Sequence, residues 1–201
     1  MGQVALPLSR PPAWALLSSA FAPVVLVTGW TVGGALQAPG YDAVHDTISA
    51  LAAYGAQHRW IMTAALAGLG AAHTVTGAGL RSVHRWPRLV LIAAGLATLA
   101  VAAFPEPARG SSNAHAVFAA VAFVLLAGWP ATLARASGTA PLPERRPVAY
   151  AVAAVSVALL IWFALTLAHG PLGVSERVLT AQQALWPLVV VVWARRTSML
   201  D

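Results

Sequence analysis

The chain has 201 residues, of which 59% are hydrophobic and only 9% are charged, whereas ~25% of the residues in a typical soluble domain are charged. A soluble domain of this composition could not cover its surface with polar groups, but lipid would solvate the apolar exterior of a helical membrane protein. The formal net charge is +6, and the absence of cysteine excludes disulfides, thiolate catalysis and cysteine-bound metals.

Six apolar blocks follow one another along the chain, and each approaches the ~20 residues that a helix needs to cross a bilayer. The first is longer than the ~7–15-residue core of a signal peptide, so we interpret it as an uncleaved span. We therefore predict an all-α fold, a polytopic membrane protein in which residues 1–201 form one transmembrane domain, a single six-helix bundle. The predicted spans are residues 13–34, 60–80, 88–104, 114–134, 148–168 and 178–194.

The basic residues are distributed unequally between the connecting segments. All twelve are arginine, which together with many alanines, valines and leucines indicates a GC-rich genome, such as an actinobacterial one. Nine of them lie on one side of the predicted bundle, at Arg10, Arg81, Arg85, Arg88, Arg135, Arg145, Arg146, Arg195 and Arg196. Three lie on the other side, at Arg59, Arg109 and Arg177. This split predicts that both termini are cytoplasmic and that the protein lies in the cell (inner) membrane. Arginines at span ends suit anionic headgroups, so we expect no nucleic-acid partner.

The three loops predicted to face outward, residues 37–59, 105–113 and 169–177, contain most of the other titratable residues. Four of the six acids and four of the six histidines lie in them or next to them. A six-helix bundle brings these loops together, which predicts one outward-facing polar pocket. The residues concerned are Asp42, His45, Asp46, His58, Glu106, His115, His169 and Glu176.

Two kinds of catalytic chemistry could use these side chains. A metal could draw ligands from Asp42, His45, Asp46, His58, His115 and His169, but no H-E-x-x-H or similar spacing is present and we assign no metal. A hydrolase could combine Ser49 or Ser111 with an outer histidine and Asp46, although no G-x-S-x-G motif is present. We keep Asp46, Ser49 and His115 as catalytic candidates. The structural alternative is that Asp46 caps a short interfacial helix that starts at Asp46-Thr-Ile-Ser49.

Polar residues inside the spans are further candidates. His73 lies near the middle of the second span, where an ionisable side chain is a functional candidate by default. Alternatively, it is a neutral histidine bonded to a neighbouring carbonyl. Gln182 lies about one turn inside the sixth span and could line the same cavity or bond between helices.

Three segments resemble a known family in order and spacing. They are YDAVHDTISALAAYG, FPEPARGSSNAHAVFAAVAF and GPLGVSERVLTAQQALWPLVVVVWARR, and they are similar to the bacterial domain-of-unknown-function family 998. The family elements D-x-I-S-x-L, F-P…H-x-x-x-A and G-x-x-E-R select Asp46, Ser49, His115, Glu176 and Arg177. The resemblance covers about residues 14–196 and implies a small multi-pass membrane protein without an established activity. A more distant similarity to eukaryotic six-span proteins of lipid remodelling and lysosomal membranes suggests lipids by analogy.

The first functional hypothesis is that the protein binds or handles a lipid or amphipathic molecule in the outward-facing pocket, with membrane lipid as its partner. The ligand-binding candidates are Glu176, Arg177, Arg109, Arg59, His73 and Gln182, and the arginines would hold a phosphate or carboxylate. The alternatives are an intramembrane hydrolase or transferase, and a non-catalytic accessory subunit that binds another membrane protein. No cofactor can be assigned from the sequence.

We also predict a division of roles within the pocket. Glu176 and Arg177 would mainly hold the structure together, with Glu176 in the first turn of the sixth helix, where its charge favours the helix dipole. Asp46 and His115 would serve the ligand, because Ser112 or Asn113 would cap the fourth helix and so leave the imidazole of His115 free. Histidine can exchange protons near neutral pH, which suits either proton transfer or anion binding.

Overall fold

Six long helices carry the six apolar blocks of the sequence. The computed structural model describes residues 10–134 and 142–197, and within these ranges it contains helices and turns but no strand. The helices are α1 (Ala13–Ala35), α2 (Trp60–Gly79), α3 (Arg85–Ala103), α4 (Asn113–Thr132), α5 (Arg146–Thr166) and α6 (Leu172–Thr197), with short 3-10 turns at Ala50–Ala52 and Leu142–Glu144. All six are long and apolar enough to cross a membrane, which confirms the predicted all-α, multi-pass architecture.

The helices form a ring in chain order. Each packs against the next one along the chain, and α6 closes the ring against α1. Because the number of spans is even, the beginning of α1 and the end of α6 lie together, where the Arg195 guanidinium donates to the Pro11 carbonyl. The opposite end carries segments 36–59, 104–112 and 167–171. We call it the outer end, after the predicted orientation.

Glycine allows two neighbouring helices to touch backbone to backbone. A Cβ atom at Gly70 of α2 would lie 2.7 Å from the Gly95 carbonyl oxygen, and one at Gly95 of α3 would lie 2.6 Å from that of Gly70. Real Cβ atoms do not approach that closely, so only glycine fits at this contact. Small residues of this kind let transmembrane helices pack tightly without a hydrophobic driving force.

The core extends beyond the helices into the first loop. Ile48 and Leu51 lie in the loop between α1 and α2. Both are almost fully buried and pack with Leu26, Met62 and Leu69 of the helices. Their burial fixes the loop on top of the bundle, and this position determines where the polar residues next to them in sequence can reach.

The first helix agrees closely with its predicted span, whereas the last helix begins earlier than predicted. The first helix matches to within one residue, but α6 begins at Leu172 rather than at residue 178. It starts directly after Pro171, whose carbonyl accepts the first helical hydrogen bond, from Ser175 N at 3.0 Å. The prediction was wrong because Glu176 and Arg177 look too polar for a buried turn, whereas the first loop provides partners for both.

Candidate functional site

Segment 41–52 folds directly over the first turn of α6. At Gly173, a Cβ atom would lie 2.3 Å from the Asp46 carbonyl oxygen and 2.5 Å from that of Ala43. The next residue, Val174, donates its backbone N–H to the Val44 carbonyl at 3.2 Å. The contact is therefore made backbone to backbone, and position 173 has no room for a side chain.

Arg177 binds this segment by hydrogen bonds from its guanidinium. Nη1 lies 2.9 Å from the carbonyl oxygens of Ala43 and Asp46 and 2.8 Å from that of Gly173, and Nη2 donates to the Tyr41 hydroxyl. Burial raises the pKa of Tyr41 above 10.0, against the lowering effect of Arg177, so the hydroxyl is neutral at ordinary pH. Arg177 thus holds the loop, and its donors are used within the protein.

Glu176 binds the same segment from inside the bundle. It is 2% exposed, and its Oε2 atom accepts the backbone N–H of Ile48 at 2.6 Å, while Ser49 Oγ lies 3.4 Å from Oε1. The predicted position in the first turn is wrong, because α6 begins earlier and its first turn contains no acid. The helix dipole therefore does not explain the position of this carboxyl group. The carboxyl group binds the Ile48 amide instead.

His115 enters the site from the start of α4. Ser112 caps this helix, since its Oγ accepts the His115 backbone N–H at 3.2 Å, and Glu106 in turn accepts the Ser112 backbone N–H at 2.8 Å. The imidazole is 3% exposed and has partners on both nitrogens, with Nδ1 2.9 Å from the Phe104 carbonyl oxygen and Nε2 3.1 Å from Ser49 Oγ. The ring is therefore held in place by the protein, whereas the sequence analysis predicted that it would be free.

The hydrogen bonds of His115 determine its tautomer. A carbonyl oxygen can only accept, so Nδ1 carries the proton and donates it to Phe104. In the neutral ring Nε2 is then an acceptor. The single proton of the Ser49 hydroxyl has two acceptors in reach, His115 Nε2 at 3.1 Å and Glu176 Oε1 at 3.4 Å, and the shorter contact is the one to the imidazole.

Asp46 is not part of this hydrogen-bonded chain. Its Oδ2 atom accepts the backbone N–H of Asp42 at 2.8 Å, so it closes a turn that precedes it. The predicted helix cap at Asp46 is also wrong, because the 3-10 turn at 50–52 has its Ala50 N–H bound by Thr47 Oγ1 at 3.0 Å. Asp46 is half-buried and lines the cavity described next.

A cavity of about 1000 Å³ opens at the outer end between the loops, α4, α5 and α6. We call it the outer cavity. Its polar lining includes Tyr41, Asp46, Ser49, Glu106, His115 and Glu176, and its apolar lining includes Phe123, Val124, Leu160, Phe163 and Leu167. The structure therefore brings Asp46, Ser49, His115 and Glu176 together around one space.

The apolar part of the outer cavity lies deeper in the bundle than the polar part. Along α4 the lining runs from His115 to Val124, and at 1.5 Å per residue this is about 14 Å. That depth is roughly half of the ~30 Å hydrocarbon core of a bilayer. The rings of Phe123 and Phe163 pack at a centroid distance of 5.3 Å and join α4 to α5 along this wall.

A second, smaller cavity of about 40 Å³ lies inside the bundle. It shares Ser49, Phe123 and Glu176 with the outer cavity, and His73 lies in its wall. Within the described part of the chain neither ring nitrogen of His73 has a hydrogen-bond partner, so the bond to a neighbouring carbonyl, one of the two alternatives for this residue, is not formed.

Besides Arg177, three predicted ligand-binding residues line neither cavity. The Arg59 guanidinium lies over the Tyr54 ring, 4.5 Å from its centroid, and Arg109 is exposed on the 104–112 loop. Gln182 accepts a hydrogen bond from Ser156 at 3.0 Å and so links α6 to α5. These residues bind other parts of the protein or face solvent.

The candidate metal ligands are dispersed as well. Among the residues that the structure describes, no three histidine, aspartate or glutamate side chains come close enough to hold one ion. His45 and Asp42 form an exposed pair at 2.6 Å, and this hydrogen bond from His45 lowers the pKa of Asp42.

Sequence reasoning missed one participant in the site and gave no role to another. The first is the backbone carbonyl of Phe104, which orients His115, and the second is Glu106, which was placed in the predicted pocket and whose Oε1 lies 3.9 Å from His115 Nε2. The signal for the first was present in the F-P…H element, which contains Phe104 and His115 together. That element places the two residues together, but it does not show that a backbone carbonyl is the acceptor, because every residue has one.

A ring of six apolar helices with a polar pocket at one end defines a small multi-pass membrane protein. The family model described as "Protein of unknown function (DUF998)" matches residues 20–193, and the chain belongs to this family. Searches of curated proteins and of solved structures give no match. The membership agrees with the resemblance seen in the sequence.

Proposed function

We propose that the protein binds an amphipathic, lipid-like molecule in the outer cavity. The observation that carries this proposal is the two-part lining, with carboxyl, hydroxyl and imidazole groups at the outer end and aromatic and branched apolar side chains below them. Such a lining is complementary to a molecule with a polar head and an apolar tail. The head would contact hydrogen-bonding groups, and the tail would contact apolar side chains. A volume of about 1000 Å³ is at the upper end of typical ligand pockets.

The apolar wall of the cavity continues onto the surface that faces lipid. Val117, Val121 and Val124 are 59%, 43% and 59% exposed, and their spacing places them on one face of α4. Val124 belongs to this lipid-facing stripe and also lines the cavity. A tail could therefore enter sideways from the bilayer without crossing water.

The polar lining indicates the kind of head group that fits. Among the described residues, no arginine lines the outer cavity, whereas Asp46, Glu106 and Glu176 do. Arg177, which follows the lining residue Glu176 in sequence, donates to the loop carbonyls of Ala43 and Asp46. The favoured head group is one that donates hydrogen bonds, through hydroxyl or amino groups, rather than the phosphate that the arginines had suggested.

Filling the cavity tests the proposal. Ala120 lines the outer cavity on α4, and its neighbour Val121 is exposed to lipid without lining it. We expect protein purified in mild detergent to retain an amphipathic molecule that solvent extraction and mass spectrometry detect. Ala120→Trp should lose it, and the matched control Val121→Trp should keep it.

Retention of the same molecule by Ala120→Trp at the wild-type ratio would refute binding in this cavity. The absence of any enriched amphipathic molecule in wild-type protein, both after purification and after incubation with a total lipid extract, would refute the function itself. The thermal stability of the two tryptophan variants is the control measurement. If it is equal, loss of the bound molecule results from the filled cavity and not from unfolding.

A further inference from the structure

We infer that Ser49 and His115 form a nucleophile and general-base pair that cleaves an acyl ester in the outer cavity. This inference rests on the proposed binding function, because it takes the bound amphipathic molecule as the substrate. It assigns Ser49 as the nucleophile, His115 as the proton carrier and the Phe104 carbonyl as the group that orients the imidazole.

The first argument is the geometry of the pair. Ser49 Oγ lies 3.1 Å from His115 Nε2, within the reach required between a hydroxyl nucleophile and its base. Nδ1 donates to the Phe104 carbonyl at 2.9 Å, which holds the tautomer in which Nε2 accepts. An acid performs this orienting task in the familiar triad, and here a backbone acceptor takes its place. Asp46, predicted for that role, bonds to the Asp42 amide instead.

The second argument is the position of Ser49 in the cavity. Ser49 and His115 lie where the polar lining changes to the apolar wall of α4, which continues through Ala116, Ala119 and Ala120 to Phe123. In an acylated amphipathic molecule the ester carbonyl lies at the junction between head and tail. A ligand placed with its tail along α4 therefore brings this carbonyl next to Ser49.

The third argument is that the Ser49 hydroxyl has no necessary structural task. The turn that carries it is held by the Glu176 bond to the Ile48 amide at 2.6 Å and by the Thr47 bond to the Ala50 amide at 3.0 Å. The Ser49 contact to Glu176 is long, at 3.4 Å. Its shorter bond is the one to His115.

The reaction follows from these positions. Ser49 Oγ forms a bond to the ester carbonyl carbon while its proton passes to His115 Nε2, and the resulting tetrahedral intermediate expels the alcohol, which takes that proton. The acyl group is now on Ser49. Water then attacks the acyl carbon, gives a proton to Nε2 and releases the carboxylic acid, and the proton returns to Ser49 Oγ. Atoms and charges balance with water as the co-substrate.

A fluorophosphonate probe with an alkyl tail tests the nucleophile directly, because a reactive serine displaces fluoride and retains the probe. We expect the wild-type protein in detergent to be labelled at Ser49, as located by peptide mass spectrometry. Ser49→Ala should abolish labelling, and His115→Gln should slow it at least about 100-fold, the typical contribution of a general base. Ser18→Ala is the matched control, since Ser18 of α1 lines neither cavity, and this variant should be labelled normally.

A second measurement keeps the inference testable if a variant is unstable. The chain contains no cysteine, so Ser49→Cys introduces a single thiol that His115 should activate for alkylation by iodoacetamide. Alkylation of Ser49→Cys should be faster than that of Ser111→Cys, and adding His115→Gln should remove the difference. Equal rates with and without His115 would overturn the pairing.

The two proposals can fail separately. Binding of the amphipathic molecule by wild-type protein and by Ser49→Ala, without probe labelling at Ser49, would overturn the catalytic inference and leave the binding function standing. Labelling at Ser49 that Ala120→Trp leaves unchanged would overturn the assignment of the substrate to this cavity. Full support requires labelling that depends on Ser49, His115 and an open cavity.

Discussion

Gly173 is the residue at which the site depends most on the absence of a side chain. A Cβ atom there would lie 2.3 Å and 2.5 Å from two backbone oxygens of the first loop, neither of which can move without displacing the segment that carries Ser49. Gly173→Ala should therefore destabilise the protein by roughly 1–3 kcal/mol, as overpacking does in well-packed interiors. Thermal unfolding in detergent provides the measurement.

Gly128 of α4 is the matched control for this substitution. It also lies in a helix, but a Cβ atom there would meet nothing within 4 Å. Gly128→Ala should leave the unfolding temperature unchanged or raise it slightly, since alanine favours helix. If the two alanine variants unfold alike, the backbone contact at position 173 is not as tight as described.

At the residue scale the sequence identified most members of the site but not their partners. Asp46, His115 and Glu176 were selected because short motifs contain them, and all three line the outer cavity. Their bonds run to backbone groups of Asp42, Phe104 and Ile48. Every residue has such groups, so no pattern of side chains could specify which ones would be used.

Among the elements, the contact between the first loop and α6 includes one buried carboxyl group, that of Glu176. Glu176→Ala would leave the buried Ile48 N–H without an acceptor, and an unsatisfied buried donor costs roughly 1–3 kcal/mol. We expect a clear fall in thermal stability for Glu176→Ala and a smaller one for Glu176→Gln, which keeps an oxygen that can accept. Ser49→Ala should unfold close to wild type, because the hydroxyl is not needed to hold the loop.

This comparison separates the two kinds of role. If Ser49→Ala or His115→Gln is as unstable as Glu176→Ala, then the serine and histidine hold the structure together and the assignment of roles is reversed. A stable Glu176→Ala would show instead that the loop is held by Arg177 and by the burial of Ile48 and Leu51 without help from the carboxyl group.

Helix positions were largely predictable because hydrophobic length is a strong signal in membrane proteins. The exception was the start of α6, where six residues from Leu172 were assigned to a loop. Polar residues are expected outside the hydrocarbon region, and the sequence contains no sign that the first loop would fold down to bind them. The partners Ile48 and Glu176 are 128 residues apart, far beyond the range of any local pattern.

At the scale of the whole molecule, the orientation in the membrane is a testable consequence of the arginine distribution. Ser111 is exposed at the outer end and His84 is exposed at the opposite end. In a chain without native cysteine, Ser111→Cys should react with a membrane-impermeant thiol reagent added to intact cells whose cell envelope admits it. His84→Cys should react only after the membrane is permeabilised.

The opposite labelling pattern would place the cavity on the cytoplasmic side and reverse the predicted topology. The ring itself does not decide this, because six spans put the beginning of α1 and the end of α6 on the same side in either case. The bias of nine arginines to three is the physical basis of the prediction, through the retention of positive charge in the cytoplasm.

The distance along the chain between Ile48 and Glu176 also has a consequence for the time course of synthesis. At about 5–20 residues per second, the ribosome needs roughly 6–26 s to progress from one to the other across the 128 residues between them. During that interval the four helices α2 to α5 are synthesised, but the first loop has not yet received the carboxyl group of Glu176 or the guanidinium of Arg177. The pocket can therefore form only after the first turns of α6 have been synthesised. A chain whose final helix fails to insert would keep a polar first loop without its partners on α6.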